Sequence, residues 1–214
     1  MTAGTWRDAT NLVVLDLEGS GAQDGDDEAI LEIAAVRLID GRPDVATAYT
    51  TVVNPGRRIP QRPWISPGLT HDVLTAAPAL EEVQPQLARR LSGAYLIGHN
   101  VNVDWRLLHR RCPGIEIAGL IDTFQLAKAA LVEGKRSLTA LLDRHGITAT
   151  VTDAVPHSRP HRALWDTVGA ALLLDALVRH RWPQQEPTLT ALLSEAAPAR
   201  PHPSPAPTPA TLFD

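Results

Sequence analysis

The sequence predicts an α/β protein in which a mixed five-stranded sheet is covered by helices. Three strand-type segments, at residues 11–16, 29–39 and 46–53, are separated by short polar turns, which is typical of an antiparallel meander. Two further apolar segments, at 95–98 and 120–123, alternate with helical patterns. Strands that are followed by alternating strands and helices indicate a mixed sheet with helices packed on its faces.

Helices are predicted where apolar residues recur every three or four positions. Pro160 marks the start of the longest helix, and Asp122 is placed as the N-cap of another. Residues 147–159 are predicted to be a polar loop. The predicted helical segments are 71–75, 80–91, 102–111, a segment that follows 120–123, 138–145, 160–180 and 189–196.

Residues 1–182 are predicted to form one domain, because a chain of 214 residues is long enough for one large core and an appendage. Residues 183–214 are interpreted as a linker and tail. Between 198 and 209 proline occupies nearly every second position, a composition that cannot pack a core. We therefore expect the proline-rich tail to be disordered.

Charge, cysteine content and hydropathy exclude several classes of protein. The formal net charge of -4 provides no basic field, so nucleic-acid binding cannot be argued from charge. Cys112 is the only cysteine, which excludes an internal disulfide and fits a reducing compartment. The amino terminus lacks the apolar core of a signal peptide, and no segment is long enough to span a bilayer. We expect a cytoplasmic protein without a membrane partner.

Two carboxylates stand at the end of the first predicted strand. Asp16 and Glu18 are two positions apart, and this spacing places both side chains on the same side of a strand. Their mutual repulsion would be removed by a hard divalent cation, which prefers oxygen ligands. The alternative is that both acids belong to an ordinary solvated surface.

Two more carboxylates and a histidine add to this pattern. Asp104 and Asp166 lie on the apolar faces of their predicted helices, where an unpartnered carboxylate costs several kcal/mol. Each of them alone is explained by pairing with an arginine, but four converging acids require cations. His161 stands just after Pro160, at or before the first helical turn, and is a candidate general base. The alternative for His161 is a satisfied surface histidine.

Three short motifs that contain these residues occur in order along the chain. With this order and spacing, the sequence resembles the DEDDh 3′-5′ exonucleases, a family that includes the proofreading subunit of the bacterial replicative polymerase, RNase T and oligoribonuclease. The resemblance covers nearly all of residues 11–180. The motifs are Asp16-Leu17-Glu18-Gly19-Ser20-Gly21, Gly98-His99-Asn100-Val101-Asn102-Val103-Asp104 and His161-Arg162-Ala163-Leu164-Trp165-Asp166.

The resemblance implies an RNase H-like fold and hydrolysis of phosphodiester bonds with two metal ions, Mg²⁺ or Mn²⁺. Asp16, Glu18 and Asp166 would hold the ion that activates the attacking water, and Asp16 with Asp104 the ion beside the leaving 3′ oxygen. His161 would take the proton from the water. The implied activity is removal of nucleoside 5′-monophosphates from the 3′ ends of single-stranded DNA or RNA.

The sequence departs from the family pattern at two places near the residues that we expect to bind substrate. Gly19-Ser20 stands where the family commonly has threonines, and Val103 where it usually has an aromatic residue. Fewer rings near the cleft would mean less base stacking, which is normally worth about 1–3 kcal/mol per base. The residues that we expect to bind substrate are Leu17, Gly19, Ser20, His99 and Asn100.

The end of the chain carries a second resemblance. Leu212 and Phe213 are similar to peptides that dock on the bacterial sliding clamp, although the usual glutamine is missing. They are predicted to bind the clamp or a polymerase; the alternative is ordinary apolar residues at a chain end.

Two alternatives to the implied exonuclease activity also stay open. One is a non-catalytic module that binds nucleic-acid ends or a polymerase, and the other is an oligoribonuclease limited to very short RNA.

Overall fold

The computed structural model describes residues 4–198 and contains the predicted mixed sheet. All five predicted strands are present, and a two-residue strand is added where the sequence predicted a turn after residue 40. The strands are β1 (Leu12–Gly19), β2 (Ile30–Ile39), β3 (Arg42–Pro43), β4 (Tyr49–Val52), β5 (Tyr95–Gly98) and β6 (Gly119–Asp122).

The strands lie in the order β3-β2-β1-β5-β6, and β4 also pairs with β2. β1 and β2 are antiparallel, whereas β1, β5 and β6 are parallel to one another. In this register Glu18 of β1 faces Glu32 of β2, and a register shift follows between Glu18 and Gly19. The acidic end of β1 therefore lies in the middle of the sheet, between β2 and the parallel strands.

The helices agree with the prediction except in two places. Residues 147–159 were predicted to be a loop but contain a helix, in which the buried Val151 packs into the core. The longest helix begins at Ala163 and not at Pro160, because Arg162 is its N-cap in extended conformation. The helices are α1 (His71–Thr75), α2 (Leu80–Leu91), α3 (Asn102–Arg111), α4 (Thr123–Ala129), α5 (Leu138–Arg144), α6 (Thr148–Ala154), α7 (Ala163–Arg181) and α8 (Leu189–Ala196).

The alternation of side chains along β1 divides the interior into two cores. Leu12 and Val14 belong to a core with α7 and its neighbours, whereas Val13 and Leu15 belong to a core with α2 and α3. Successive side chains of a strand point to opposite faces of the sheet, so both faces of β1 are covered. This arrangement matches the continuous apolar run that precedes Asp16.

α8 belongs to the packed part of the molecule. Its Leu192 and Ala196 are fully buried in the core that includes α4 and α7, and the backbone N–H of Trp6 donates to Pro187 O at 2.9 Å. The domain boundary at residue 182 stays a prediction, although this helix beyond it contributes to the core. Leu212 and Phe213, for which docking was predicted, lie outside the described residues. No helix within residues 4–198 is long and apolar enough to cross a membrane.

A bidentate ion pair connects the N-terminus of α7 to β2. Arg162 donates from Nε to Glu32 Oε2 at 2.8 Å and from Nη2 to Glu32 Oε1 at 2.6 Å. The N–H of Ala163 also donates to Glu32 Oε2, at 3.3 Å. The Glu32 side chain is only 5% exposed, so the pair is largely shielded from water. It holds the first turn of α7 against the sheet beside Glu18.

Replacing Arg162 by methionine is expected to lower the free energy of unfolding by about 3 kcal/mol, because the buried Glu32 carboxylate loses its partner. Urea denaturation measures the change. The matched control is Arg181→Met, which breaks a similar bidentate ion pair. In that pair Arg181 donates from Nε and Nη2 to the Glu195 carboxylate, at 2.8 and 2.9 Å. Because that arginine is 41% exposed, its loss is expected to stay below about 1 kcal/mol.

Adding Glu32→Gln to Arg162→Met removes the unpaired charge and is expected to restore part of the lost stability. Equal, small losses in the two arginine variants would contradict the structural importance of the Glu32–Arg162 pair.

Candidate active site

Asp16, Glu18 and Asp166 form a compact group of carboxylates. Each offers one oxygen, and these three oxygens all lie within 4.8 Å of one another. β1 supplies Asp16 and Glu18, which point to the same side as their spacing predicted. Asp166 comes from the first turn of α7, where the helix dipole favours a negative charge. The three acids thus converge in the structure, and their role as metal ligands stays a prediction.

Asp104, on α3, lies close to this group of three carboxylates. It lies in the first turn of α3 and is only 8% exposed, as its position on the apolar face of the helix predicted. Its Oδ1 accepts a hydrogen bond from the N–H of Leu17 at 2.8 Å. Asp104 is not part of the 4.8 Å group, but its charge is close enough to raise the pKa of Asp16.

His161 stands at the edge of the same cluster. It precedes α7, its side chain is exposed, and its φ of 64° lies in the left-handed region that non-glycine residues rarely adopt. Its backbone N–H points to Asp166 Oδ1 at 3.4 Å. The five predicted catalytic residues are thus neighbours.

Burial raises the pKa of every one of the four carboxyl groups. The pKa of Asp16 lies well above its ordinary value because the group is buried and because Asp104, Asp166 and Glu18 repel its charge. Burial raises the pKa of Glu18 and of Asp104 to about 7, and that of Asp166 to about 6. The cluster therefore retains protons near neutral pH unless a cation replaces them.

Two neighbours moderate the charge of Glu18. The guanidinium of Arg162 lowers the pKa of this carboxyl, and so does the hydroxyl of Ser66. Ser66 is 4% exposed, and its Oγ has no partner at hydrogen-bond geometry among the described residues. The Ser66 hydroxyl therefore affects the Glu18 carboxyl without forming a hydrogen bond to it. It nevertheless places the segment around Ser66 beside the carboxylates.

The residues that we predicted to bind substrate differ in their surroundings. Leu17 and Gly19 are partly exposed on β1, and Asn100 is exposed in a left-handed turn with φ 62°. Both ring nitrogens of His99 are occupied, by Thr123 Oγ1 at 2.9 Å and by the Arg136 carbonyl at 2.8 Å. His99 thus connects the end of β5 to α4 and to the loop before α5, and its contact with substrate stays a prediction.

Ser20 is fully buried, and its polar atoms have partners within the protein. The hydroxyl bonds to Asp24 Oδ2 at 2.7 Å and accepts from the Ala29 N–H at 3.0 Å. The carbonyl accepts from Arg62 at 3.2 Å and from Trp64 at 3.3 Å. Contact between Ser20 and a substrate stays a prediction, and it would require this turn to open.

The loop of residues 55–69 reaches the site, which sequence reasoning missed. Arg57 and Arg62 pair with Asp24 at 2.7 and 2.6 Å, and Trp64 and Ser66 follow on the same loop. The only signal in the sequence was a tryptophan and several arginines within a proline-rich loop. No periodicity relates these residues to Asp16 or Glu18, so their position could not be predicted.

Comparisons with known proteins identify the family to which the sequence is similar. A family model described as Exonuclease matches residues 13–174. A DNA polymerase III subunit epsilon-like protein of Rhodobacter capsulatus is 35% identical over 79% of this chain and 24% of its own length. A DNA polymerase III PolC-type of Thermotoga petrophila is 33% identical over 72% of this chain. The matched region covers only 11% of the length of this second relative.

Solved structures show the same architecture. A structure described as Exonuclease X in complex with 5′ overhanging duplex DNA has a TM-score of 0.60 and 27% identity, covering 78% of this chain and 91% of that one. The nuclease domain of 3′hExo, a DEDDh family member bound to rAMP, has a TM-score of 0.57 at 16% identity, covering 83% and 94%. This second likeness concerns the fold alone. The predicted RNase H-like fold is confirmed, and the chain belongs to the exonuclease family.

Proposed function

We propose that the protein is a metal-dependent 3′-5′ exonuclease that hydrolyses the terminal phosphodiester bond of single-stranded DNA or RNA and releases nucleoside 5′-monophosphates. The observation that carries this proposal is the group of Asp16, Glu18 and Asp166, whose oxygens lie within 4.8 Å of one another. Asp104 lies beside them. Such a cluster is unfavourable in a folded protein unless cations neutralise it.

The donor set fits two hard divalent cations. All four side chains are carboxylates, the ligands that Mg²⁺ and Mn²⁺ prefer. Asp16, Glu18 and Asp166 would hold one ion, and Asp16 with Asp104 the other. When bound, the ions supply Lewis-acid polarisation of the phosphate and neutralise the acids. The choice of Mg²⁺ or Mn²⁺ and the number of two are parts of the proposal.

His161 is the proposed proton acceptor. Its side chain is exposed and is close enough to Asp166 to lower the pKa of that carboxyl, whereas the four acids are mostly buried. A histidine in this position can take a proton from the attacking water and pass it to solvent.

The relatives bear on the substrate. The Exonuclease X structure contains duplex DNA with a 5′ overhang, and the 3′hExo structure contains rAMP. We propose single-stranded 3′ ends, with DNA and RNA both as candidates. A non-catalytic end-binding module is less well supported, because all five catalytic-type residues are present and adjacent. An oligoribonuclease limited to very short RNA would use the same residues and is distinguished by substrate length.

The named relatives also include DNA polymerases. We therefore retain, as a proposal, docking of Leu212 and Phe213 on a sliding clamp or polymerase. A cytoplasmic location is likewise proposed from the sequence.

Asp16→Asn and Asp166→Asn are expected to lower the rate of hydrolysis of a 3′-tailed oligonucleotide by about a thousandfold or more, since metal polarisation contributes several kcal/mol. His161→Ala is expected to lower it by about 10²- to 10⁴-fold. The matched control is Asp153→Asn, which removes an exposed acid on α6 and is expected to retain activity. Release of labelled nucleotide measures the rates.

The same assay tests the direction of hydrolysis and the need for metal. A 3′-phosphate on the oligonucleotide is expected to block the reaction, whereas a 5′-phosphate is not. Full activity in the presence of excess chelator, or unchanged activity of Asp16→Asn, would contradict the proposed function.

The stability of the metal-free protein is expected to fall as the pH rises from 6 to 8. The folded-state pKa of Glu18 and Asp104 is about 7, above the usual values of these carboxyl groups. The folded protein therefore binds more protons than the unfolded chain between about pH 4 and 7, and that stabilisation is lost as the pH rises through 7. We expect the Tm in chelator to fall by about 2–8 °C over this interval.

Added Mg²⁺ is expected to raise the Tm more at pH 8 than at pH 6, because the ions compete with protons for the same oxygens. Asp104→Asn removes one of the titrating groups and should reduce the difference between the two pH values. Calorimetry measures both effects. A metal-free Tm that rises from pH 6 to 8, and rises equally in Asp104→Asn, would contradict the proposed electrostatics of the cluster.

A further inference from the structure

Trp64 is exposed, whereas the two residues that follow it in the loop are buried. Its relative exposure is 54%, whereas Ile65 and Ser66 are 7% and 4% exposed. Two other tryptophans, Trp6 and Trp165, are fully buried in the core. Within residues 4–198, Trp64 is the only aromatic residue among the large hydrophobic side chains that are mainly exposed. A single exposed side chain needs no explanation by itself, so its location decides its meaning.

That location is the end of β1, directly beyond the carboxylates. The indole N–H of Trp64 points to the Ser20 carbonyl at 3.3 Å, and Ser20 is two positions after Glu18. Ser66, two positions after Trp64, lies beside the Glu18 carboxyl. The segment from 64 to 66 is therefore bonded to the turn after β1 through Trp64 and lies near Glu18 at Ser66.

The indole is also held in place. Arg62 donates to the Ser20 carbonyl at 3.2 Å and to Asp24 at 2.6 Å, and its guanidinium lies 5.8 Å from the centre of the Trp64 ring. A side chain at Gly21 would collide with the ring, because a Cβ there would lie 2.6 Å from Trp64 Nε1. The φ of 107° at Gly21 also favours glycine. Because Gly21 has no side chain, the indole can pack against this turn.

A ring held beside the reaction centre suits a nucleobase. Bases stack on aromatic side chains with little dependence on sequence. The family position that usually carries an aromatic ring holds the exposed Val103 in this chain. Trp64 comes from a different element and places a ring at the turn after β1, beside Ser20. Its polar edge is bound to the backbone while its apolar surface is open, the combination that makes tryptophan effective at interfaces.

We propose that Trp64 forms a nucleobase subsite, in which its indole stacks on one of the two bases nearest the 3′ end of the substrate strand. The inference rests on the proposed function, because it places the 3′ end at Asp16 and Glu18. It assigns the loop of residues 55–69 to substrate recognition. Arg57 and Arg62 have a supporting role, since their pairing with Asp24 holds this loop against the turn after β1.

The test compares Trp64→Phe and Trp64→Leu in an Asp166→Asn background, which allows binding to be measured without cleavage. Each protein is titrated with a labelled single-stranded oligonucleotide and with the same strand carrying abasic nucleotides at its last two 3′ positions. Fluorescence anisotropy gives the Kd. Trp64→Leu is expected to weaken binding of the intact strand by about 5- to 100-fold. Trp64→Phe should retain most of the affinity, because it keeps an aromatic face.

The abasic strand is the decisive comparison. Trp64→Leu is expected to bind it as tightly as the Trp64 parent does, since no base is present to stack. Equal weakening on both strands would overturn the proposal and would assign Trp64 to the shape of the loop. Unchanged binding of the intact strand in Trp64→Leu would overturn it as well. Thermal melting of both variants checks that the fold is retained.

The test of the Trp64 subsite and the test of the exonuclease proposal can fail independently of each other. Hydrolysis of the intact strand by the unmodified protein tests the exonuclease proposal, and the ratio of Kd values tests the subsite. An active enzyme whose binding ignores Trp64 overturns only the subsite. Failure to hydrolyse any 3′ end overturns the exonuclease proposal, whatever the Kd ratio.

Discussion

The ion pair between Glu32 and Arg162 is the contact on which the arrangement of the site depends. Arg162 is the N-cap of α7 and lies between His161 and the first helical turn, which carries Asp166. Glu32 lies opposite Glu18 in the pairing of β2 with β1. The bidentate bonds at 2.6 and 2.8 Å therefore fix α7 beside β1. Apolar side chains of α7 also pack in one core with β1, and the ion pair adds a directed contact next to the turn that carries Asp166.

The pair also affects the electrostatics of the carboxylate cluster. Glu32 raises the pKa of Asp16, Glu18 and Asp166, whereas Arg162 lowers the pKa of Glu18. Glu32 is neutralised by its partner, but the four proposed ligands are not. Burial makes their charged forms unfavourable, so the folding energy of the remaining structure must hold the acids together. Such stored repulsion favours the binding of cations, and the proposed chemistry follows from it.

Much of the site could be predicted from local patterns. The spacing of Asp16 and Glu18 on a strand determines that both point to one side. Asp104 and Asp166 were identifiable because each is an acid on an apolar helix face. Contacts between distant parts of the chain could not be predicted in this way. Arg162 and Glu32 are 130 positions apart, and Trp64 and Ser20 are 44 positions apart. No residue-level pattern relates such pairs.

The errors in the fold prediction have the same origin. Residues 148–154 contain several β-branched threonines and a valine, which have low helix propensity. The helix α6 forms because Val151 is buried, and because its Thr152 hydroxyl lies 3.4 Å from the indole nitrogen of Trp165. Tertiary packing therefore overrides a weak local preference there. By contrast, the cap at Asp122 was predicted correctly, because capping depends on residues close in sequence.

The most direct test of the central claim is a crystal structure of the protein soaked in Mn²⁺, with anomalous scattering used to locate the ions. The account predicts two peaks about 3.5–4 Å apart, one bound by Asp16, Glu18 and Asp166 and the other by Asp16 and Asp104. The Glu32–Arg162 pair should be intact beside them. A crystal without a peak at Asp16, or with manganese bound only elsewhere on the molecule, would contradict the account.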